Sequence, residues 1–549
     1  MQNMFDRHSG LLEDALRALE TREFWTPFPE IPSGKIYGNS ARAEADAAFE
    51  ALIGQAFEIP GHPETARVGA EMSPWGKDMA MSYPTTDAAA FVMASQAVTE
   101  AFAEAGPEVR VGALLEALVR LNKMSFLLGH ATMHTTGQAF AMAFQAGGPH
   151  AQDRGLEALA MAWSEMTRSA TQATWTKPQG KHAPIVIEKQ WHLMPRGVSL
   201  TIGCNTFPTW NSYPGIFASL ATGNPVIIKP HPRAILPLAL TVRVLREVFA
   251  EAGLPQDAVL LASDAPGAEI TKTLVSHPDV KIIDYTGSSG FADWIRANAG
   301  PAQVFTEETG VNSVTITGTD DFKGMCANLA FSLSLYSGQM CTSPQNIYIP
   351  EGGIGTDEEP KRFDDVVAGI ASAIDALLDD PDRAAGVCGT IINSATFERI
   401  GQARAAGQVI RESGETGQGQ SATPLMIVVD GIQGPQDEEC FGPVSFIIPC
   451  ADAAEAISRA ADVAKRKGAI TAALYAQDDA LIDAAAKAFA KAGVNLSVNL
   501  TGNIYVNQSA AFSDFHVTGA NPAGNASLTD AAFVAPRFRR VMIRRPKAA

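Results

Sequence analysis

Apolar side chains recur at helical spacing through about residues 1–180, and Val111, Leu114, Leu115, Leu118 and Leu121 give the clearest stripe, with charged positions between them. Residues three and four apart share one face of a helix, so the stripe predicts a helix with one side turned to a core. The turn Gly147-Gly148-Pro149 and the polar run from Thr171 to His182 are the expected breaks in this helical region. At Ile185 the pattern changes. Ile185-Val186-Ile187 and Trp191-His192-Leu193-Met194 read as two short strands, joined around Glu188-Lys189-Gln190 and closed by Pro195-Arg196-Gly197, which predicts a hairpin.

Apolar runs then alternate with helical patterns: Val198 to Ile202, Pro225 to Ile228, a helix carrying Leu238, Val242, Leu245 and Val248, then Val259-Leu260-Leu261 and Val280 to Ile283. Continuous apolar runs suit strands buried on both faces, and strand–helix–strand punctuation predicts a parallel sheet covered by helices. Ligands of such sheets bind at the carboxyl ends of the strands. After Glu307 a second α/β unit is expected, with strands at Ser313 to Ile316, Asn346 to Ile349, Ala469 to Tyr475 and Ile504-Tyr505-Val506, and a helix from Phe363 to Leu378. The polar, Gly-rich segment Arg411 to Gln420 reads as a surface loop.

Composition narrows the classes. A chain of 549 residues should hold about two to four domains, and 46% hydrophobic against 18% charged residues is enough apolar surface for large cores. The net charge of −17 disfavours nucleic acid and anionic membranes as partners, since both require a basic footprint. The six cysteines form no CxxC pair, which argues against structural zinc and a disulfide framework. The start Met1-Gln2-Asn3-Met4-Phe5-Asp6-Arg7 lacks a basic-then-apolar leader pattern, and no apolar run reaches the roughly 20 residues of a membrane helix. A cytoplasmic protein is expected.

Familiar nucleotide and metal signatures are missing: there is no GxxxxGK[ST] and no HExxH, and the one GxGxxA match, Gly417, Gly419 and Ala422, lies in the polar loop. What the chain carries is an ordered set of segments. These are Cys204-Asn205-Thr206-Phe207-Pro208-Thr209-Trp210-Asn211, Gly223-Asn224-Pro225-Val226-Ile227-Ile228-Lys229-Pro230 and Tyr285-Thr286-Gly287-Ser288, then Glu307-Glu308-Thr309-Gly310, Ser337-Gly338-Gln339-Met340-Cys341-Thr342 and Glu438-Glu439-Cys440-Phe441-Gly442-Pro443-Val444. In order and spacing they resemble the aldehyde dehydrogenase superfamily over about residues 185–525, and Glu307 stands 34 positions before Cys341 as in that family. Within the superfamily the chain is most similar to the phenylacetic acid degradation proteins PaaN and the dehydrogenase half of PaaZ. The element Asn205 to Trp210 and the ending Phe512 to Gly519 carry that likeness.

The resemblance implies an α/β fold with a Rossmann-type cofactor domain (1–183 and 198–307, with the helical amino-terminal part), an α/β catalytic domain (308–525) and small oligomerisation strands (184–197 and 535–549). It also gives one thiol of six a role. A thiolate attacks an aldehyde carbon near neutral pH where a hydroxyl would need a base, so Cys341 is the expected nucleophile. Glu307 is the expected base that activates water against the thioester, with Glu308 as its competitor. Asn205 is the expected oxyanion donor beside the Cys341 backbone N–H; Asn211 competes, but its distance from Lys229 is short for the family.

Lys229 is expected at the adenosine ribose or its phosphate, Gly287 and Ser288 at the pyrophosphate, Glu439 at the nicotinamide ribose and Phe441 near the ring. Pro232 stands three residues after Lys229, where NAD-preferring members carry Glu. Without that carboxylate a 2′-phosphate meets less repulsion, so NADP preference is expected, with NAD possible. Thr309 and Val311 depart from the family's Gly-Gly-Lys. The substrate implied is an aldehyde, CoA-linked if the phenylacetate likeness holds, and the hairpin with Phe538 to Arg545 implies a homodimer or larger homo-oligomer. Rival readings are a CoA-acylating dehydrogenase, which would not need Glu307, and a non-catalytic assembly subunit.

Overall fold

The computed structural model describes residues 3–429, 434–528 and 530–547. Val111, Leu114, Leu115, Leu118 and Leu121 lie fully buried on the helix Pro107–Lys123. Proline opens that helix, where a missing N–H costs nothing, and Arg120 and Lys123 sit in its last turn, where positive charge suits the helix dipole. The helical region breaks at Gly148, between the helices Phe140–Gly147 and Pro149–Thr167. Helices Pro107–Lys123 and Pro149–Thr167 pack on Pro208–Ala221, joining the amino-terminal helices to one core with the first sheet. Truncating Leu118 in that core would cost about 2–5 kcal/mol in lost burial and cavity.

The first sheet has five parallel strands in the order Val259–Leu261, Val226–Lys229, Val198–Ile202, Val280–Thr286, Gln303–Glu307. Its three central strands are buried almost throughout, as expected for a sheet covered on both faces. The second sheet has seven strands, ordered Gln408–Arg411, Leu425–Val428, Val444–Cys450, Asn346–Pro350, Ser313–Ile316, Thr471–Tyr475, Asn495–Val498, and only the first is antiparallel. Arg411 thus closes an edge strand, and the polar loop begins after it. No helix opens after Gly417 and Gly419; the strand Leu425–Val428 follows.

Two predictions are corrected. Ile504-Tyr505-Val506 is loop, and Asn495–Val498 takes the free edge of Thr471–Tyr475 instead. The chain leaves the sheet at Asn499 (φ 53°), and the Ile504 carbonyl accepts from Asn328 Nδ2 (2.6 Å) in place of a strand neighbour. The second correction concerns the hairpin. Residues from His182 to Pro195 form one continuous strand, whose hairpin partner is Gln172–Gln179, within the run expected to be a break. Glu188-Lys189-Gln190 stays extended because Thr174, Ala173 and Gln172 pair with it on one side and Arg545, Arg544 and Ile543 on the other. The turn lies at Gly180, whose φ of 60° is costly for other residues.

With Phe538–Pro546 this makes a three-stranded antiparallel ribbon, which takes in residues 172–183 that the sequence assigns to the cofactor unit. Residues 548 and 549 of the expected carboxyl-terminal strand lie outside the described residues. Where the ribbon leaves the body, Arg537 is fully buried and donates through both arms to Asp284 (2.9 and 2.5 Å). Among the described residues no helix is long and apolar enough to cross a membrane.

Candidate active site

The carboxyl ends of the five-stranded sheet open onto a cavity of about 540 Å³. Cys204, Asn205, Lys229, Gly287, Ser288 and Glu307 reach it from the ends of four parallel strands, and Cys341, Glu439 and Phe441 enter from the second unit. All eight residues singled out from the sequence therefore line one cavity.

Cys341 sits just after an irregular turn, in which Tyr336, Ser337 and Gly338 all have positive φ (50°, 49° and 62°). Gly338 is required there twice over: a Cβ would lie 2.3 Å from the Gly442 carbonyl oxygen. The close approach locks the turn against residues 439–443. Gln339 braces it by donating to the Thr390 carbonyl (2.9 Å), and Asn312 Nδ2 donates to the Cys341 carbonyl (2.7 Å) while its Oδ1 accepts from Ile470 and Thr471 N–H.

Glu307 ends its strand fully buried. Its Oε2 accepts from Asn211 Nδ2 (3.1 Å), and its Oε1 lies 3.1 Å from His516 Nε2. The same nitrogen is 3.5 Å from Cys341 Sγ, and the Cys, His and Glu atoms all lie within 4.8 Å of one another. Burial, then the Glu307 carboxylate, push the Cys341 thiol well above its ordinary range. Glu308 is committed elsewhere, to Arg296 and to Thr306 Oγ1 (2.7 Å).

The two asparagines differ in the same way. Asn211 spends both ends of its amide, donating to Glu307 and accepting from Cys204 Sγ (3.4 Å). Asn205 lines the cavity with a buried Oδ1 that has no partner among the described residues.

On the cofactor side, the helix Ser289–Asn298 begins right after Gly287-Ser288, and the Ser288 side chain makes no capping bond, so its hydroxyl and the first-turn N–H groups are free for an anion. Lys229 is buried beside Asp264 (Nζ to Oδ1 2.6 Å), and burial lowers its pKa against that pairing. His231 is held at about 4 by burial, Lys229 and Arg233. Glu439 is pushed up to about 7 by burial, opposed by the Gly310 N–H (3.3 Å) and Arg399. A helix start free for a pyrophosphate, with Lys229 and Glu439 lining the same cavity, fits a dinucleotide.

Sequence reasoning missed His516, Asn312 and Asp264. His516 arrives on an irregular segment whose continuation, Ala523 to Asn525, runs beside Gln303–Glu307: Glu308 N–H donates to Ala523 O (2.7 Å) and Asn525 Oδ1 accepts from Thr306 N–H (2.9 Å). The ending Phe512 to Gly519, used only as a family likeness, was the one signal that could have pointed to it.

A sequence model of the aldehyde dehydrogenase family matches residues 65–524, and the chain belongs to that family. It is similar along its whole length to an NAD-dependent aldehyde dehydrogenase from Burkholderia multivorans, with 47% identity, 100% of both chains covered and a TM-score of 0.98. A 1-pyrroline-5-carboxylate dehydrogenase from Thermus with bound NAD shares the fold at 19% identity and TM-score 0.75, over 95% of this chain and 99% of that one. The N-succinylglutamate 5-semialdehyde dehydrogenase of Burkholderia cenocepacia is 28% identical over 49% of this chain and 55% of its own length, so the match spans about half of that curated relative.

Proposed function

We propose that the protein oxidises an aldehyde to a carboxylic acid through a thioester on Cys341. The observation that carries this reading is the meeting of the Cys341 thiol and the Glu307 carboxylate, within 4.8 Å, on the wall of a cavity of about 540 Å³. Cys341 Sγ attacks the aldehyde carbon, and the free amide of Asn205 donates to the resulting oxyanion. When bound, the dinucleotide supplies the acceptor for the departing hydride. Lys229 and Glu439 would hold its two riboses, the Ser289–Asn298 helix start would take its pyrophosphate, and Phe441 would pack near its ring. Glu307 then takes a proton from the water that attacks the thioester.

For the cofactor, the surroundings of Lys229 weigh against the NADP expectation. Lys229 is already paired with Asp264, and His231, at about 4, carries no charge near pH 7 to attract a 2′-phosphate. With the Burkholderia multivorans relative described as NAD-dependent, these features support NAD as the preferred dinucleotide. The substrate we propose is a semialdehyde: the phenylacetate-degradation likeness supports a CoA-linked one, and the curated relative is named for N-succinylglutamate 5-semialdehyde.

The ribbon carries Trp175, Ile185, Met194, Val541, Met542 and Ile543 exposed, which supports pairing with a second copy of the chain. The test of the chemistry is an aldehyde panel with NAD⁺ and NADP⁺, without CoA, on wild type, Cys341→Ala and Glu307→Gln. Turnover by Cys341→Ala, or normal turnover by Glu307→Gln, would overturn it.

A further inference from the structure

The buried thiol poses a problem that Glu307 does not solve. Its carboxylate lies beside Cys341 and disfavours a second negative charge there, and its Oε2 already accepts from Asn211. A thiolate in such surroundings needs a group that removes the proton and leaves positive charge next to sulfur. Imidazole does both. Among the described residues His516 is the one nitrogen base within reach of Sγ, at 3.5 Å, and its side chain is 3% exposed.

Its position is fixed on several sides. The Trp210 ring meets the imidazole edge-on at 4.4 Å between centroids, and the Glu307 carboxylate stands 3.1 Å from Nε2. The arrangement is that of a nucleophile, a base and a third group that orients the base. The other titratable or charged groups facing the trio are Cys204 and Glu439 across the cavity and Arg154, whose guanidinium lies 5.1 Å from the Trp210 ring.

We propose that His516 is a third catalytic residue, which takes the Cys341 thiol proton at Nε2 and pairs with the thiolate as an imidazolium. The S–H bond breaks, the Nε2–H bond forms, and the electron pair stays on sulfur. The receiving tautomer carries its own hydrogen on Nδ1, which is buried without a partner among the described residues. When the thioester is cleaved the thiolate leaves again and Nε2 returns its proton, so the proton count of the overall reaction is unchanged. Glu307 is thereby left to serve water alone. The proposal rests on Cys341 being the nucleophile.

The experiment is alkylation of Cys341 by iodoacetamide across pH in the cofactor-free protein, read by intact mass, together with the first-turnover burst of reduced dinucleotide. His516→Gln keeps a polar side chain beside Glu307 and cannot take up a proton. It should shift the alkylation profile to higher pH and slow the burst by about 100-fold. In His516→Ala, added imidazole should restore alkylation, which a structural loss would not allow. A His516→Gln profile that overlays the wild type overturns the proposal, and so does a shifted His516→Ala profile that imidazole leaves unmoved. Turnover by Cys341→Ser would sink the functional reading itself, and an inactive Cys341→Ser with an unmoved His516→Gln profile sinks the proposal alone.

Discussion

The two walls of the cavity are built differently. On the catalytic wall side chains hold one another: Asn211 and His516 meet Glu307, His516 meets Cys341, and Cys204 meets Asn211, all largely out of water. On the cofactor wall the groups are backbone N–H at a helix start, an ion pair and a carboxylate on a single N–H. A buried network is costly to cut, because each removed member strands a partner without a hydrogen bond. A wall of backbone donors spreads its work and tolerates change. Substitutions should therefore cost orders of magnitude on the first wall and small factors on the second.

The largest effect short of removing the thiol is expected from Glu307→Gln, with a loss of about 10²–10⁴ in kcat and an acyl-enzyme that accumulates in intact mass. A burst lost along with the steady state would show that Glu307 acts before the thioester forms. Next comes Asn205→Ala, expected to lower kcat by about 10²–10³ with aldehyde KM little changed, as for removal of one oxyanion donor. Asn211→Ala should cost less in the burst and more in thioester hydrolysis, since it frees Glu307; the opposite ranking in stopped-flow traces would exchange the two asparagines.

Smaller effects test the other wall. Glu439, at about 7, is neutral below that pH and ionised above it. A carboxylate accepts from ribose hydroxyls better than its acid form does, so the dinucleotide KM should rise several-fold as pH falls from 8 to 6. Glu439→Gln should flatten that profile. The smallest is Asp264→Asn, which frees Lys229 from its ion pair and should raise the ratio of NADP to NAD efficiency by about fivefold, on the order of 1 kcal/mol of screened attraction. An unchanged ratio would take Asp264 out of cofactor choice.

How much of this the sequence reveals follows the same division. The edge of the five-stranded sheet is legible because its strands are continuous apolar runs and its site residues follow directly on them: Asn205 after Ile202, Lys229 at the end of its strand, Gly287 after Thr286, Glu307 at the last strand's end. His516 is not legible, since it meets Glu307 across 209 residues from a segment with no period. Asp264 hides for a similar reason, in a loop beyond the strand next to that of Lys229. The strand Gln172–Gln179 is exposed along its whole length, so it lacks the apolar alternation that marks a half-buried strand. Its pairing partners hold it extended instead.

The pseudo-strand from Ala523 to Asn525 has a consequence for how the protein is made. The sheet edge that carries Glu307 is completed only when residues more than 200 positions later lie alongside it, and the same late segment delivers His516. A ribosome that has finished the whole five-stranded sheet has therefore not yet made an enzyme. The thiol at Cys341 emerges among incomplete partners, and the site closes only after residues 516–525 have been made, through contacts of very high sequence separation that form late and slowly.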